Sequence, residues 1–271
     1  MSLTRVLITV KTYPTISSKY DELVCTAGFR DDGSWIRIYP VPYRKKAYSE
    51  QYSKYDWIEL DLVKNDKDFR PESFRPRLLD SEINIIGHID TSHNWAERKN
   101  IVLKNVCYNL PELIARAKNK STFTSLAVFK PTKIFDFVSE KVDGEWSRSK
   151  IDKLKQLNLF DVSRADNRLE VVRKLPYKFS YKLCDDTGKV RQMMIEDWET
   201  GQLYWKQLAK YDGDEKRAIA DVKSKYLDDL ARTKDLYFFL GTTQAHHCVA
   251  PNPFIIIGAF YPKIESQGRL F

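Results

Sequence analysis

The chain predicts an α+β fold: a β-rich N-terminal part of barrel or sandwich type, a second β-rich unit, and C-terminal helices packed on a short sheet. Three observations carry that expectation. Over about the first hundred residues, apolar and polar positions alternate in short runs separated by turn residues, as in strands with one buried face. The first segment with helix punctuation is Pro111–Lys120. A long helical stretch beginning at Glu199 is followed by two further apolar strands.

Arg5–Lys11, RVLITVK, is rich in β-branched residues and reads as the first strand. Glu22–Phe29, ELVCTAGF, is the next, and the Asp31-Asp32-Gly33 turn feeds a hairpin partner, Ser34–Val41, because glycine accepts positive φ. In that partner Trp35, Arg37 and Tyr39 share one face, and Ile36 and Ile38 share the other. The aliphatic pair is expected to face the core and the aromatic and cationic trio to face outward. Tyr55–Asp66 alternates again, and Glu82–Ile89 and Asn100–Val106 read as further strands.

Pro111–Lys120 predicts a helix with proline in its first turn, Glu112 beside it and basic residues at its end. Ser125–Lys141 returns to strand character, broken by Pro131. The polar, mixed-charge segment around 144–170 is a candidate boundary or inserted loop. Lys178–Glu199 predicts a hairpin turning at Asp186-Thr187-Gly188. Helix follows as far as Thr233, interrupted at Tyr211-Asp212-Gly213, and Asp235–Thr243 and Phe254–Pro262 close the chain as strands around a loop with two adjacent histidines.

ELVCTAGF followed by GSWIRIYPV resembles the C-x-A-G and G-x-W-I-R opening of bacterial dual-OB-containing domains. Arg70–Phe74, RPESF, resembles the Q-P-E-N element of those domains, with Arg70 in place of glutamine and Ser73 in place of asparagine. Ser125–Phe137, SLAVFKPTKIFDF, resembles a strand pair of their second barrel. The resemblance covers the first half of the chain. It implies an OB-like β-barrel over 1–110, followed by 111–271 as the second β-rich unit with its C-terminal α+β segment. It also implies nucleic-acid binding beside restriction or phage-defence functions.

The residues point the same way. With 45 Lys and Arg against 37 Asp and Glu, the formal net charge is +8, a bias toward polyanionic partners. OB-type barrels hold single strands by stacking bases on aromatic rings and tracking phosphates with cations. Trp35, Tyr39 and Tyr43 supply rings, and Arg37, Arg44, Lys45 and Lys46 supply charge. Arg70, Phe74, Arg75 and Arg77 repeat that mixture in a proline-stiffened loop. Nucleic acid is therefore the expected partner, without a cofactor.

Two alternatives differ in class. A metal-dependent nuclease or related hydrolase would use Asp197 and Glu199 with His246 or His247, since carboxylates and imidazoles hold a divalent metal and activate water. Against it, Asp197 stands where a helix cap is expected, and adjacent histidines in a strand point apart. A protein-interaction scaffold in a multi-subunit system is the other.

Several classes are disfavoured. The chain has neither G-x-S-x-G nor a glycine-rich phosphate loop. Cys25, Cys107, Cys184 and Cys248 form no zinc-ligand spacing. No apolar run is long enough to span a bilayer, and the first residues lack the features of a signal peptide, so a cytoplasmic protein with no membrane partner is expected.

Overall fold

From Val6 to Lys11 every residue of the first strand, β1 (Thr4–Lys11), is buried, so this strand has no solvent face. The run RVLITV accordingly reads as nearly continuous apolar sequence rather than an alternation. The computed structural model in which this is seen describes residues 3–17, 21–152 and 171–265. The expected boundary at 144–170 lies outside the described residues from 153 onward.

The architecture is mixed α+β with two sheets, one of them curled into a half-barrel. In the first sheet, β1 lies between β3 (Asp21–Phe29) and β5 (Asp56–Leu60), both antiparallel to it. A short β2 (Thr15–Ser17) pairs with β3. The hairpin to β4 (Trp35–Val41) turns through Gly33 at φ 83°, where a side chain would be strained. With β6 (Leu62–Lys64), β7 (Ser73–Pro76) and β8 (Asn84–His88), the order across this sheet is β6-β7-β4-β3-β1-β5-β8.

Helix α1 (Ser92–Val102) opens through a left-handed turn at His93, Asn94 and Trp95 and overruns the strand expected at Asn100–Val106. Tertiary anchoring outweighs local strand propensity here. The Arg98 guanidinium lies 3.7 Å from the centre of the Tyr55 ring, and its Nε donates to the Ile89 carbonyl at 2.9 Å. Only β9 (Val106–Cys107) of that stretch is extended.

Helix α2 (Leu110–Lys118) follows its sequence signals. The Asn109 side chain accepts from the Glu112 N–H at 2.9 Å, Pro111 lies in the first turn, and Arg116 and Lys118 close the last. The second sheet adds β10 (Leu126–Phe129), β11 (Lys133–Lys141), β12 (Tyr177–Cys184), β13 (Val190–Ile195), β14 (Tyr237–Thr242) and β15 (Phe254–Phe260), ordered β11-β12-β13-β15-β14-β10-β9. The strands expected to form a separate unit and a short C-terminal sheet are thus one seven-stranded sheet.

Helices α3 (Trp198–Lys210) and α4 (Glu215–Lys223), the latter continuing as a π-helical stretch over Ser224–Ala231, cover one face of that sheet. They are separated where Asp212 and Gly213 take positive φ. The Tyr226 ring stacks on Phe137 at 5.0 Å, and the Tyr181 hydroxyl donates to the Tyr226 carbonyl at 2.8 Å. Among the described residues no helix is long and apolar enough to cross a membrane.

Two apolar layers explain the doubly buried strand. Val6 and Ile8 join Val24, Ile36, Ile38, Ile58 and Leu60 on one side of the first sheet. Leu7 and Val10 join Ala27 and Phe29 on the other, against Leu126, Val128, Phe239, Ile257 and Phe260 of the second sheet. The two sheets therefore share a core.

A close backbone approach makes this core sensitive at one glycine. A Cβ at Gly28 would stand 1.9 Å from the Leu7 carbonyl oxygen, too close for any side-chain adjustment to relieve. Gly28→Ala is expected to lower stability by roughly 2–4 kcal/mol, a large effect for one methyl group, measured by urea denaturation.

Candidate functional site

At Trp35 and Arg37 the second face of β4 is turned toward the other sheet, and only at Tyr39 does it open to solvent. Trp35 is half-buried, its ring 4.0 Å from Phe29 and 5.8 Å from Phe239 of β14. Arg37 is only 2% exposed. Its guanidinium donates to Ser125 Oγ at 2.7 Å, the Ser125 carbonyl at 3.1 Å and the Thr242 carbonyl at 3.4 Å. Burial first, and the nearby Arg70 charge second, lower its pKa, and such a cation is tolerated because oxygens surround it. Glu72 completes the arrangement by accepting from Ser125 Oγ at 2.9 Å and from the Ser125 N–H at 3.1 Å.

The segment before β7 builds the adjoining wall. Arg70 donates from Nε to Asp68 Oδ1 at 2.8 Å and from its second nitrogen to Asp68 Oδ2 at 2.5 Å, and it also donates to the Thr242 carbonyl. Ser73 Oγ donates to Asp68 Oδ2 at 2.7 Å. Two buried arginines from separate sequence motifs therefore converge on one carbonyl, at the end of β14. The Thr242 hydroxyl donates to His247 Nδ1 at 2.7 Å, while His247 Nε2 donates to the Ala117 carbonyl at 2.7 Å. Burial lowers the His247 pKa and favours the neutral ring, and with Nε2 donating to the carbonyl that ring accepts the hydroxyl at Nδ1.

Above this frame lies a cleft of about 790 Å³ between the two sheets. Four sequence-selected residues, Arg37, Tyr39, Arg70 and Arg75, line it. Tyr13, Lys67, Glu196 and Gln244 join them, none of which stands in either motif. Tyr39 is 38% exposed. The lining holds four cations, Arg37, Lys67, Arg70 and Arg75, against two carboxylates, Asp68 and Glu196. Its size is that of a ligand pocket, and it lies where such pockets are common, between two structural units.

The other selected residues do not share it. Tyr43 is buried, donating to the Tyr52 carbonyl at 2.8 Å and accepting from Lys11 Nζ at 3.0 Å. Arg44 pairs with Glu22 at 2.7 Å, Lys46 with Glu50 at 3.2 Å and Arg77 with Asp61 at 2.6 Å. Lys45 is exposed, and the ring most open to solvent in that loop is Tyr48, at 92% exposure. Phe74 lies under Arg30 and Lys64, 4.6 and 5.1 Å from its centre. The single outward aromatic and basic face expected from Trp35 to Lys46 is thus divided, because its strand part is covered by the second sheet.

Of the residues in the hydrolase alternative, the two carboxylates meet on one lysine and the histidines do not join them. Asp197 sits at the N-cap of α3, but its carboxylate receives Lys54 Nζ at 2.9 Å on both oxygens, and Glu199 takes the same ammonium at 3.0 Å. Burial works against the Lys54 charge, yet Asp197 and Glu199 raise its pKa. This ion pair is charged at neutral pH, since either partner alone would be an uncompensated buried charge. Both His247 nitrogens are engaged and His246 is exposed. Among the described residues no group of three or more histidine, cysteine, aspartate or glutamate side chains could hold a metal ion.

Two family models match the chain. Residues 2–104 match one described as Domain of unknown function (DUF8758), and residues 108–271 match one described as Domain of unknown function (DUF8757). No curated protein matches it.

The frame beneath the cleft carries a pH signature. Burial would raise the Asp68 pKa, but hydrogen bonds from Arg70 and Ser73 outweigh burial and hold it at about 2. A depressed carboxylate contributes stability that is complete above the ordinary carboxylate range and is lost as pH falls through the folded value. That contribution is about 2 kcal/mol, in place above about pH 4 and lost toward about pH 2. In urea melts Asp68→Asn is expected to lose at least that much at neutral pH and to flatten the acid limb.

Proposed function

We propose that this chain, which belongs through residues 108–271 to the family described as Domain of unknown function (DUF8757), is a nucleic-acid-binding protein that receives a single strand in the cleft between its sheets. The observation that carries the reading is convergence. Tyr39 from one aromatic and basic motif and Arg75 from the other line a single cleft, with Lys67 beside them. Rings that stack on bases and cations that meet phosphates are the two sequence-independent components of single-strand binding.

In this reading the first sheet acts as an OB-like platform, and residues split between roles. Arg37 and Arg70 are committed to serine, carbonyl and carboxylate oxygens and hold the cleft open rather than touching the strand. Lys67 and Arg75 meet phosphates, and Tyr39 stacks. Lys45 and the exposed Tyr48 extend the path beyond the cleft. The net charge of +8 favours the approach of a polyanion. A restriction or phage-defence setting, which the resemblance of the first half implies, suits a protein that holds nucleic acid without a chemistry of its own.

Two measurements by fluorescence anisotropy with a short single-stranded oligonucleotide test this. Changing Lys67 and Arg75 together to alanine is expected to reduce the slope of log affinity against log salt by about 1.4, the value for two phosphate contacts on a single strand. Tyr39→Ala is expected to weaken binding about tenfold or more while leaving that slope unchanged, since stacking carries no counterion release. An unchanged slope in the double variant would remove the cleft cations from the strand path.

A further inference from the structure

The two carboxylates that line the cleft differ in their state of engagement. Asp68 is saturated by Arg70 and Ser73. Glu196, which follows β13, has no side-chain hydrogen bond or ion pair among the described residues. Its backbone is nevertheless fixed: the Glu196 N–H donates to the Ile256 carbonyl at 2.8 Å, and the Glu196 carbonyl accepts from the Tyr13 N–H at 3.3 Å. A fixed main chain therefore presents to the cleft a carboxyl without a hydrogen-bond partner among the described residues, with Tyr13 and Tyr39 among the other lining residues. Glu196 is exposed on its cleft side; desolvation by the protein around it raises its pKa, and the charge of Lys178 on the neighbouring strand acts the other way. A site of that kind favours a ligand that supplies donors.

A carboxylate repels phosphate, so the part of a strand that reaches Glu196 is a base rather than the backbone. An ionised carboxyl only accepts, through two adjacent oxygens. Among the common bases, guanine alone offers two neighbouring N–H donors on its Watson–Crick edge, the ring N1–H and the exocyclic amine. Adenine, cytosine and thymine each set an acceptor beside their donor.

We infer that Glu196 is a base-reading residue of the cleft and that it selects guanine, an inference that rests on the cleft being the strand site. The wrong base sets an acceptor against the carboxylate where guanine supplies a second donor, and that mismatch is the source of the selectivity.

The test compares short oligothymidine strands carrying one central guanine, hypoxanthine or adenine, measured by anisotropy. Hypoxanthine keeps the ring N–H and lacks only the amine. The expected result is binding of the guanine strand about tenfold tighter than the hypoxanthine strand. Glu196→Gln should bring the two together without changing the salt slope. Equal affinity of wild-type protein for the two strands, or a preference that survives Glu196→Gln, overturns the inference while binding of the strands leaves the nucleic-acid reading standing. Failure of every strand to bind at physiological salt overturns both. Competition by free guanosine monophosphate at concentrations comparable to the strand keeps the base assignment and moves its source from a strand to a nucleotide. The wild-type comparison needs no variant, so it holds even if Glu196→Gln proves less stable.

Discussion

The guanidinium of Arg37 is the constraint around which the rest of the molecule is arranged. It projects from a strand of the first sheet, is almost fully buried, and finds its acceptors on Ser125 and Thr242 of the second half. An arginine in that position is destabilising unless every donor has a partner. The two halves must therefore meet in one register, and Glu72, Ser73, Asp68 and Arg70 extend the same network to the cleft wall. The polar network defines a position, and the apolar layer beside it supplies most of the cohesion.

That division of labour places the cleft. Leu7, Val10, Ala27 and Phe29 press against Phe239, Ile257 and Phe260, and the sheets come together there. Toward the far end of β4 the lining becomes polar, and the sheets enclose space instead of each other. Lys54 ties the halves again, reaching from the first sheet's loops to Asp197 and Glu199 at the start of a helix. One buried charge pair, Asp68 with Arg70, thus forms part of the cleft wall, and the Lys54 group adjoins it through Asp197, next in sequence to the lining residue Glu196.

Much of the local structure was legible in the sequence. Alternation marked β4 and β5, Asp31-Asp32-Gly33 marked the hairpin, and Pro111 with Glu112 marked the start of α2. Alternation, however, reports only that two faces differ. It does not distinguish water from a second sheet, so Trp35 and Arg37 read as outward residues. The partners that bury Arg37 lie 88 and 205 positions away in the chain, beyond any local pattern. The same limit explains Tyr43 and Tyr48: five residues apart in one loop, one is sealed against Tyr52 and the other is nearly all in water. Both aromatic and basic motifs were visible as separate clusters. Their meeting at Thr242, and the contributions of Tyr13, Lys67 and Gln244, depend on how the two sheets are docked, which no short window of sequence encodes.

The shared apolar layer also governs what becomes of the chain if it is divided. A cut in the connection between Val102 and Val106 leaves each sheet intact in its hydrogen bonding but strips both of their common lining. The leading fragment would carry an oily surface with a bare guanidinium in its midst, a combination that invites clumping rather than a soluble module. Produced side by side, the fragments have matching surfaces and reason to reassemble. The pair of halves is therefore the smallest portable piece of this molecule, and either half moved onto another scaffold has to bring its counterpart with it.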